Sequence, residues 1–287
     1  MIKRFFLVVW ALTCLNIVLG QQLSKSEIKS YRKSIGIPEA CVYIPQGTLT
    51  LGKTTTPVQS FWIYNCEITN DDYNRFLEEL KASGNEKDYQ IALIKSEQWK
   101  LIGKSCMDSI YDTHTAYRLY PVVNISYEAA ELFCQWLTSK LKDKSWEFRL
   151  PRKEEWIYAA QCGHQGLSAV YSWGSTFLRN YKGIRMGCYH SLGDESIHQT
   201  ENGYEIISPE KSTHNYFTLM MAPSQSFYPN DWGLYNMSGN VAEMILEKGI
   251  AMGGSWHDTG YDVRTESTQS YTDASPIIGF RPVLVKK

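Results

Sequence analysis

The sequence predicts an α+β fold in one large domain with sparse regular secondary structure. Three observations support this. Alternating apolar residues near both ends of the chain are typical of strands, and three central segments carry apolar residues at helical spacing. Residues 163–230 show neither pattern over a length that is unusual for a compact domain. No internal repeat or Pro/Ser-rich linker divides the chain, so residues 36–287 form the predicted domain.

The first twenty residues have the pattern of a secretory signal peptide. Two basic residues precede an apolar run, and small residues at positions 18 and 20 permit cleavage before Gln21. The run is too short and too polar to span a membrane, so we expect no transmembrane segment in the mature chain. A lipid anchor at Cys14 is the alternative, although Thr13 is a poor match for that processing. Residues 21–35 would then form a polar segment ahead of the domain.

The first predicted elements are strands. Residues 42–51 alternate and predict a hairpin turned at Gln46 and Gly47. Residues 61–80 predict a strand and then a helix, because Thr69 or Asn70 is a good N-cap for the helical stripe that follows. Residues 84–118 lack periodicity and predict an irregular excursion.

Two further helices and a return to strands complete the prediction. Ser126 is a candidate N-cap for a helix whose apolar stripe includes Cys134, which we therefore interpret as a core thiol. The third helix opens at Pro151 and closes at Gly163. Short strands follow in "IAMGGSW" and "GFRPVLV".

Composition narrows the classes of partner. The formal net charge of -1 gives no electrostatic reason to expect nucleic acid or an anionic membrane. Aromatic residues make up 13% of the chain, which suits a loop-rich fold and a binding surface equally.

The cysteines leave two readings open. After cleavage six remain, and an even number in an oxidising compartment permits disulfides. A chain of this size does not need them, so buried thiols are the alternative. No CxxC pair or Cys/His cluster has the spacing of a structural zinc site. The six are Cys41, Cys66, Cys106, Cys134, Cys162 and Cys188.

The strongest local motif is "PNDWGLYNMSGNVAEM", residues 229–244. It places Asn236, Asn240 and Glu243 around Gly239, so amide and carboxylate oxygens fall within one short turn. Calcium takes six to eight hard oxygen ligands, often from a loop of this kind. Asn and Gly are also simply common in turns, and the motif alone does not separate the two.

Eight ordered blocks carry a resemblance over nearly all of the mature chain. They are "VYIPQGTLTLG", "FWIYNCEITNDDYNRFL", "YPVVNISYEAAELFCQWL", "RLPRKEEWIYAA", "YSWG", "PNDWGLYNMSGNVAEM", "GGSW" and "GFRPV". In order and spacing they resemble the formylglycine-generating enzyme (sulfatase-modifying factor) family. The resemblance implies a C-type-lectin-like α+β fold held partly by calcium. It places that calcium on the side chains of Asn236 and Glu243 and the carbonyls of Gly239 and Val241. A second family calcium site is not carried over, because "GCYHSLG" and "HNYFTLMMAP" lack the expected Asn and Asp.

The stretch "GGSWHDTGYD", residues 253–262, bears on catalysis. The resemblance implies cysteines at the places of Asp258 and Asp262, which in the family hold a copper ion, while Ser255 matches a family site residue. Soft copper needs sulfur ligands, so we expect neither copper nor formylglycine generation here. His257, Asp258 and Asp262 are instead residue types of a non-haem iron site. A second histidine would come from His190, His198 or His214.

Two functions follow from these observations. The favoured one is an exported, non-catalytic domain, a calcium-stabilised binding or scaffold protein of the bacterial cell envelope, with a protein, peptide or glycan ligand. Domains of bacterial gliding-motility and secretion lipoproteins look similar. The alternative is a metal-dependent, non-haem iron type oxidoreductase that uses the altered site around His257. Fold kinship cannot choose between them.

Overall fold

The structure is a computed structural model that describes residues 23–190, 197–201, 203–206 and 221–287. The predicted signal peptide lies outside the described residues. In chain order the helices and strands are α1 (Lys25–Ile35), β1 (Cys41–Ile44), β2 (Gly47–Leu51), β3 (Thr54–Val58), β4 (Phe61–Tyr64), α2 (Asn70–Ser83), α3 (Glu86–Ala92), α4 (Tyr127–Lys140), β5 (Trp146–Arg149), α5 (Lys153–Gln161), β6 (Ile197–Thr200), β7 (Gly203–Ile206), β8 (Ala242–Met244), β9 (Ile250–Met252), β10 (Thr268–Ser270), β11 (Ile278–Phe280) and β12 (Val283–Lys286).

The first sheet is antiparallel, with the strand order β1, β4, β12, β5. Strand β4 is buried on both faces, because its alternating side chains enter two different cores. Trp62 and Tyr64 pack beneath α2 and α4, whereas Phe61 and Ile63 pack with α5. This double burial explains why the strand reads as an unbroken apolar run.

The predicted N-caps of α2 and α4 are confirmed. The hydroxyl oxygen of Thr69 accepts from the Asp72 amide at 3.1 Å, and that of Ser126 accepts from the Ala129 amide at 3.1 Å. Both helices pack their apolar stripes into the same core, where Cys134 is buried as predicted.

The hairpin predicted at Gln46 and Gly47 is wrong. Strand β1 pairs with β4, and β2 pairs with β3. Gly47 instead allows strand β2 to lie close to helix α5, because a Cβ at this position would be 2.1 Å from the Tyr158 hydroxyl. The α5 helix itself ends at Gln161, with Cys162 in the left-handed conformation, rather than at Gly163.

The predicted polar segment before the domain contains helix α1. Ser24 caps it by accepting from the Glu27 amide, and Glu27 accepts in return from the Ser24 amide. Arg32 ties the helix to the domain through the carbonyls of Pro38 and Cys41 at 3.0 and 2.8 Å. The prediction missed this helix because nearly all of its surface is polar.

The second sheet, with the strand order β10, β9, β8, β11, assembles the candidate site. Strands β8 and β11 run parallel, and Glu243 lies beside Gly279 on one side and Met252 on the other. The turn before β8 and the loop after β9 therefore meet at one end of this sheet, and Arg281, which follows β11, reaches the Glu243 side chain from the other end.

The six cysteines after residue 23 form no disulfide with one another. Across the described ranges, the helices are all too short or too polar to cross a membrane.

Candidate functional site

The chain enters β8 through a tight buried turn. Asn236, Gly239 and Asn240 have φ angles of 54°, 90° and 68°. Asparagine tolerates this left-handed region better than most residues, and glycine adopts it without strain. A Cβ at Gly239 would also lie 2.2 Å from the Cys188 carbonyl oxygen, so no larger residue fits. The motif is therefore a turn pressed against the neighbouring loop.

The carboxylate of Glu243 is bound by two other side chains. Arg281 donates from Nη2 to Oε1 at 2.7 Å and from Nε to Oε2 at 3.0 Å. The indole of Trp156 donates to Oε2 at 2.7 Å. Arg281 also donates to the carbonyls of Tyr64 and Tyr235 at 3.1 and 2.7 Å. This buried guanidinium therefore joins the two sheets to the turn.

A second buried carboxylate, Glu67, faces the same turn. It accepts from the side-chain amides of Asn240 at 3.0 Å and Asn236 at 3.3 Å. Burial raises the pKa of Glu67 to about 8, Arg281 opposes that increase, and Glu243 adds to it. We refer to the five residues Glu67, Trp156, Asn236, Glu243 and Arg281 as the Glu243 network.

The predicted calcium ligands fit an ion unequally. The Asn236 Oδ1 atom is buried and accepts no hydrogen bond, as expected of an oxygen that binds a cation. Glu243 does not fit, because guanidinium and indole donors already occupy both carboxylate oxygens. A divalent ion on that carboxylate would also face the positive charge of Arg281. The Glu243 side chain is therefore part of an ion pair in this structure.

The loop Gly253–Asp262 packs on the Glu243 network through its glycines. Gly253 and Gly254 have φ angles of 84° and 64°. A Cβ on Gly253 would lie 2.8 Å from the Trp156 ring, and one on Gly254 would lie 2.5 Å from the Asp262 carbonyl oxygen. The glycine pair thus permits two close approaches that fix the path of the loop.

Both aspartates of this loop hold its own turns. The Asp258 carboxylate accepts from the Ser255 amide at 2.8 Å, from the Ser255 hydroxyl and from the Gln269 side chain. The Asp262 carboxylate accepts from the Thr259 hydroxyl at 2.7 Å. The predicted site residues therefore lie in one loop, but these carboxylates are engaged within it and with the adjoining strand β10.

Two histidines lie beside the loop. The His190 amide donates to the Asp258 carbonyl at 2.7 Å, and its buried Nε2 atom has no hydrogen-bond partner. The pKa of His190 is lowered by burial first, and then by the nearby His257 and Arg185. The structure thus brings His190 and His257 within electrostatic reach of each other.

The described residues do not assemble the predicted iron triad. Among them, no group of three or more His, Cys, Asp or Glu side chains is arranged to hold a metal ion. The side chains of His198 and His214 lie outside the described residues.

Three members of the Glu243 network were not predicted from the sequence. Glu67 directly follows the buried strand β4, and an acidic residue in an otherwise apolar stretch was the available signal. Arg281 stands alone between the apolar strands β11 and β12, and Trp156 lies on the buried face of α5. A buried acid and a buried base need partners, but nothing local identifies which.

Two four-stranded sheets bridged by a buried Arg and Glu pair, with long loops between short elements, define an α+β domain. The chain belongs to the sulfatase-modifying factor enzyme 1-like domain family, which matches residues 27–286. The predicted family and fold class are confirmed. The match begins inside helix α1, in the segment predicted to precede the domain.

Relatives of the chain carry related names. It is 31% identical over 177 residues to the inactive C-alpha-formylglycine-generating enzyme 2 of Bos taurus, covering 56% of this chain and 49% of that protein. It is 25% identical over 323 residues to the Mus musculus protein of the same name, covering 96% and 91%. The chain thus spans about half of the bovine relative and most of the mouse one.

A solved structure, that of CarF, has the same fold. It superposes with a TM-score of 0.57 at 21% identity, covering 86% of this chain and 98% of CarF. At this identity the likeness supports the fold alone.

Proposed function

We propose that this chain is an exported, non-catalytic domain of its family that serves as a binding or scaffold protein in the bacterial cell envelope. The observation that supports this most is the engagement of the Asp258 carboxylate by Ser255 and Gln269. A carboxylate that holds its own loop is poorly placed to bind a metal or to move a proton. The bovine and mouse relatives are themselves named inactive, which favours the same role.

The alternative, iron-dependent chemistry, has one observation in its favour. His190 keeps a buried, unpartnered Nε2 atom near His257, and imidazole nitrogens are common iron ligands. The described residues supply no third ligand at that place. The two functions therefore predict different metal contents.

Metal analysis of the purified mature protein separates them. We expect no stoichiometric iron or copper, and unchanged metal content in His190→Gln and Asp258→Asn. Tightly bound iron that disappears in either variant would overturn the non-catalytic proposal. Tyr228→Ala, which changes an exposed side chain outside the site, is the matched control.

Structural calcium is the second part of the proposal, in a narrower form than predicted. Asn236 Oδ1 would be its side-chain ligand, with carbonyls of the turn and water completing the six to eight oxygens that calcium takes. When bound, the ion would neutralise the buried oxygens of the turn. Glu243 would stabilise the turn through Arg281 and not through the ion.

A melting experiment tests this part. An ion that binds only the folded state raises the melting temperature. We expect a rise in the wild type on moving from chelator to millimolar calcium. Asn236→Gly keeps the positive φ but removes the oxygen, so the rise should vanish. Equal melting temperatures of the wild type in calcium and in chelator would refute the calcium site.

Export is supported by the N-terminal sequence alone. Expression with the native leader, followed by mass analysis of the mature chain, tests it. We expect a chain that begins at Gln21 and is released from membranes by mild washing. A lipid-modified Cys14 at the new N-terminus would instead show a lipoprotein.

A further inference from the structure

Four large apolar side chains are exposed on residues 177–185 and on the Gly253–Asp262 loop that contacts them. Tyr181 is 92% exposed, Phe177 73% and Tyr261 68%, and Ile184 is also exposed. They account for four of the fourteen large hydrophobic residues exposed in the described ranges. We call residues 177–185 the aromatic hairpin. Single exposed hydrophobic residues need no explanation, but a group of rings at one place does.

The hairpin and the loop form one surface. Leu178 packs so closely on Gly260 that a Cβ there would lie 2.2 Å from the leucine side chain. The Leu178 carbonyl accepts from the Tyr189 hydroxyl at 2.9 Å. Phe177 and Tyr261 are the chain neighbours of Leu178 and Gly260, so both exposed residues lie close to this contact.

Hydrogen bonds within the turn and at its base hold the hairpin in its conformation. The side-chain oxygen of Asn180 accepts from the amides of Lys182 and Ile184 at 2.9 and 3.0 Å, and the Asn180 amide donates to the Ile184 carbonyl at 2.9 Å. The Trp173 indole fixes the base by donating to the Phe177 carbonyl at 2.9 Å. A surface held in one conformation loses little entropy on binding, which favours affinity.

The charge of this surface selects the ligand. Residues 177–185 contain three basic side chains and no Asp or Glu, although the whole chain has a formal net charge of -1. Lys182 lies over the Tyr181 ring at 5.5 Å, and Arg264 lies over the Tyr261 ring at 3.6 Å. The Asp258 and Asp262 carboxylates of the loop are engaged in its turns, and the exposed Glu266 follows Arg264 by two residues. The surface thus places aromatic rings beside cations, an arrangement that favours binding of an anionic partner.

We infer that the aromatic hairpin and the Gly253–Asp262 loop bind an acidic segment of a partner protein that also carries aromatic or apolar side chains. Tyr and Arg are the residue types that contribute most to binding energy at protein interfaces. Complementary charge steers such a partner to the surface. The inference rests on the proposed binding function and adds the chemistry of the ligand.

A copolymer of Glu and Tyr is the probe, with polyglutamate, polylysine and heparin for comparison. Binding to the immobilised full mature domain is measured at about 50 and 300 mM salt, because exposed charges are screened at the higher concentration. We expect the wild type to bind the Glu and Tyr copolymer more tightly than polyglutamate, to lose affinity at high salt and to ignore polylysine. No binding of the copolymer, or preference for heparin over it, would overturn the inference.

Variants locate the site. Phe177→Ala with Tyr181→Ala should weaken copolymer binding at least about tenfold, which corresponds to a loss of about 1.4 kcal/mol in binding free energy. Arg179→Glu with Lys182→Glu should abolish it. Tyr228→Ala and Lys81→Glu change equally exposed residues elsewhere and should bind like the wild type. Unweakened binding in both double variants, with unchanged melting temperatures, would place the ligand elsewhere and refute the inference.

This test is independent of the metal analysis. Bound iron would refute the non-catalytic proposal whatever the copolymer does. Failure of copolymer binding in a protein free of iron and copper would refute only the ligand chemistry.

Discussion

The Glu243 network and the aromatic hairpin place similar chemical groups in opposite environments. In the network, Arg281 and Trp156 are buried and bind Glu243. On the hairpin, Arg179 and Tyr181 face solvent. In the first arrangement the guanidinium and indole groups donate to acceptors within the domain, whereas the second leaves rings and cations exposed. The difference indicates that the polar motif around Glu243 stabilises the domain, whereas the recognition that we infer lies in a region without an obvious motif.

The largest effect should come from breaking the buried ion pair. Arg281→Met leaves Glu243 buried without its counter-charge, which typically costs about 3–5 kcal/mol. Lys140→Gln, in the exposed pair with Glu79, should cost at most about 1 kcal/mol. Urea unfolding of both variants measures the difference. Equal, small losses of unfolding free energy in the two variants would show that the network does not stabilise the domain. Such a result would contradict the different roles assigned to the network and the aromatic hairpin.

A pair of glycines compares the two regions directly. Gly239→Ala forces a positive φ on alanine and drives its Cβ to 2.2 Å from a backbone oxygen, so we expect a loss of about 2 kcal/mol or more. Gly260→Ala meets only the end of the Leu178 side chain and should cost about 1 kcal/mol. Unfolding and copolymer binding are measured together. Gly260→Ala should weaken binding more than Gly239→Ala does, and the reverse order would contradict the assignment of the two roles.

The smallest effect concerns pH. Because the folded pKa of His190 lies below its ordinary value of 6.5, the unfolded state binds more protons between the two pKa values. The contribution of His190 to the free energy of unfolding is therefore complete above pH 6.5 and is lost as pH falls through the folded pKa. Unfolding measured from pH 5 to 7.5 should show a weaker pH dependence in His190→Gln than in the wild type. Exposed His114 provides the control, and His114→Gln should keep the wild-type dependence. Identical curves for all three proteins would contradict a lowered pKa of the partly buried His190.

Helices α2 and α4 show what local sequence can predict. Their caps, Thr69 and Ser126, bond to amides three residues on, and their apolar stripes recur within the same turns. Such interactions join neighbours in the chain, so the sequence specifies them directly. Strand pairing does not have this property. The hairpin prediction at Gly47 was wrong because β1 pairs with β4, from which β2 and β3 separate it in the sequence. No local pattern specifies such a pairing.

The sequence by itself determined the family, the α+β class and the turn at Asn236 and Gly239, because these depend on residue types at fixed short spacings. The tertiary structure decided what the polar residues do. Glu243 meets Arg281, which is 38 residues away, and Asn240 meets Glu67, which is 173 residues away. A carboxylate has the same oxygens whether it binds calcium or a guanidinium. Only the elements packed against it determine which of the two partners it binds. The same reason applies to Asp258. Its position in the motif suggested a metal ligand, but Gln269 of the neighbouring strand donates to its carboxylate.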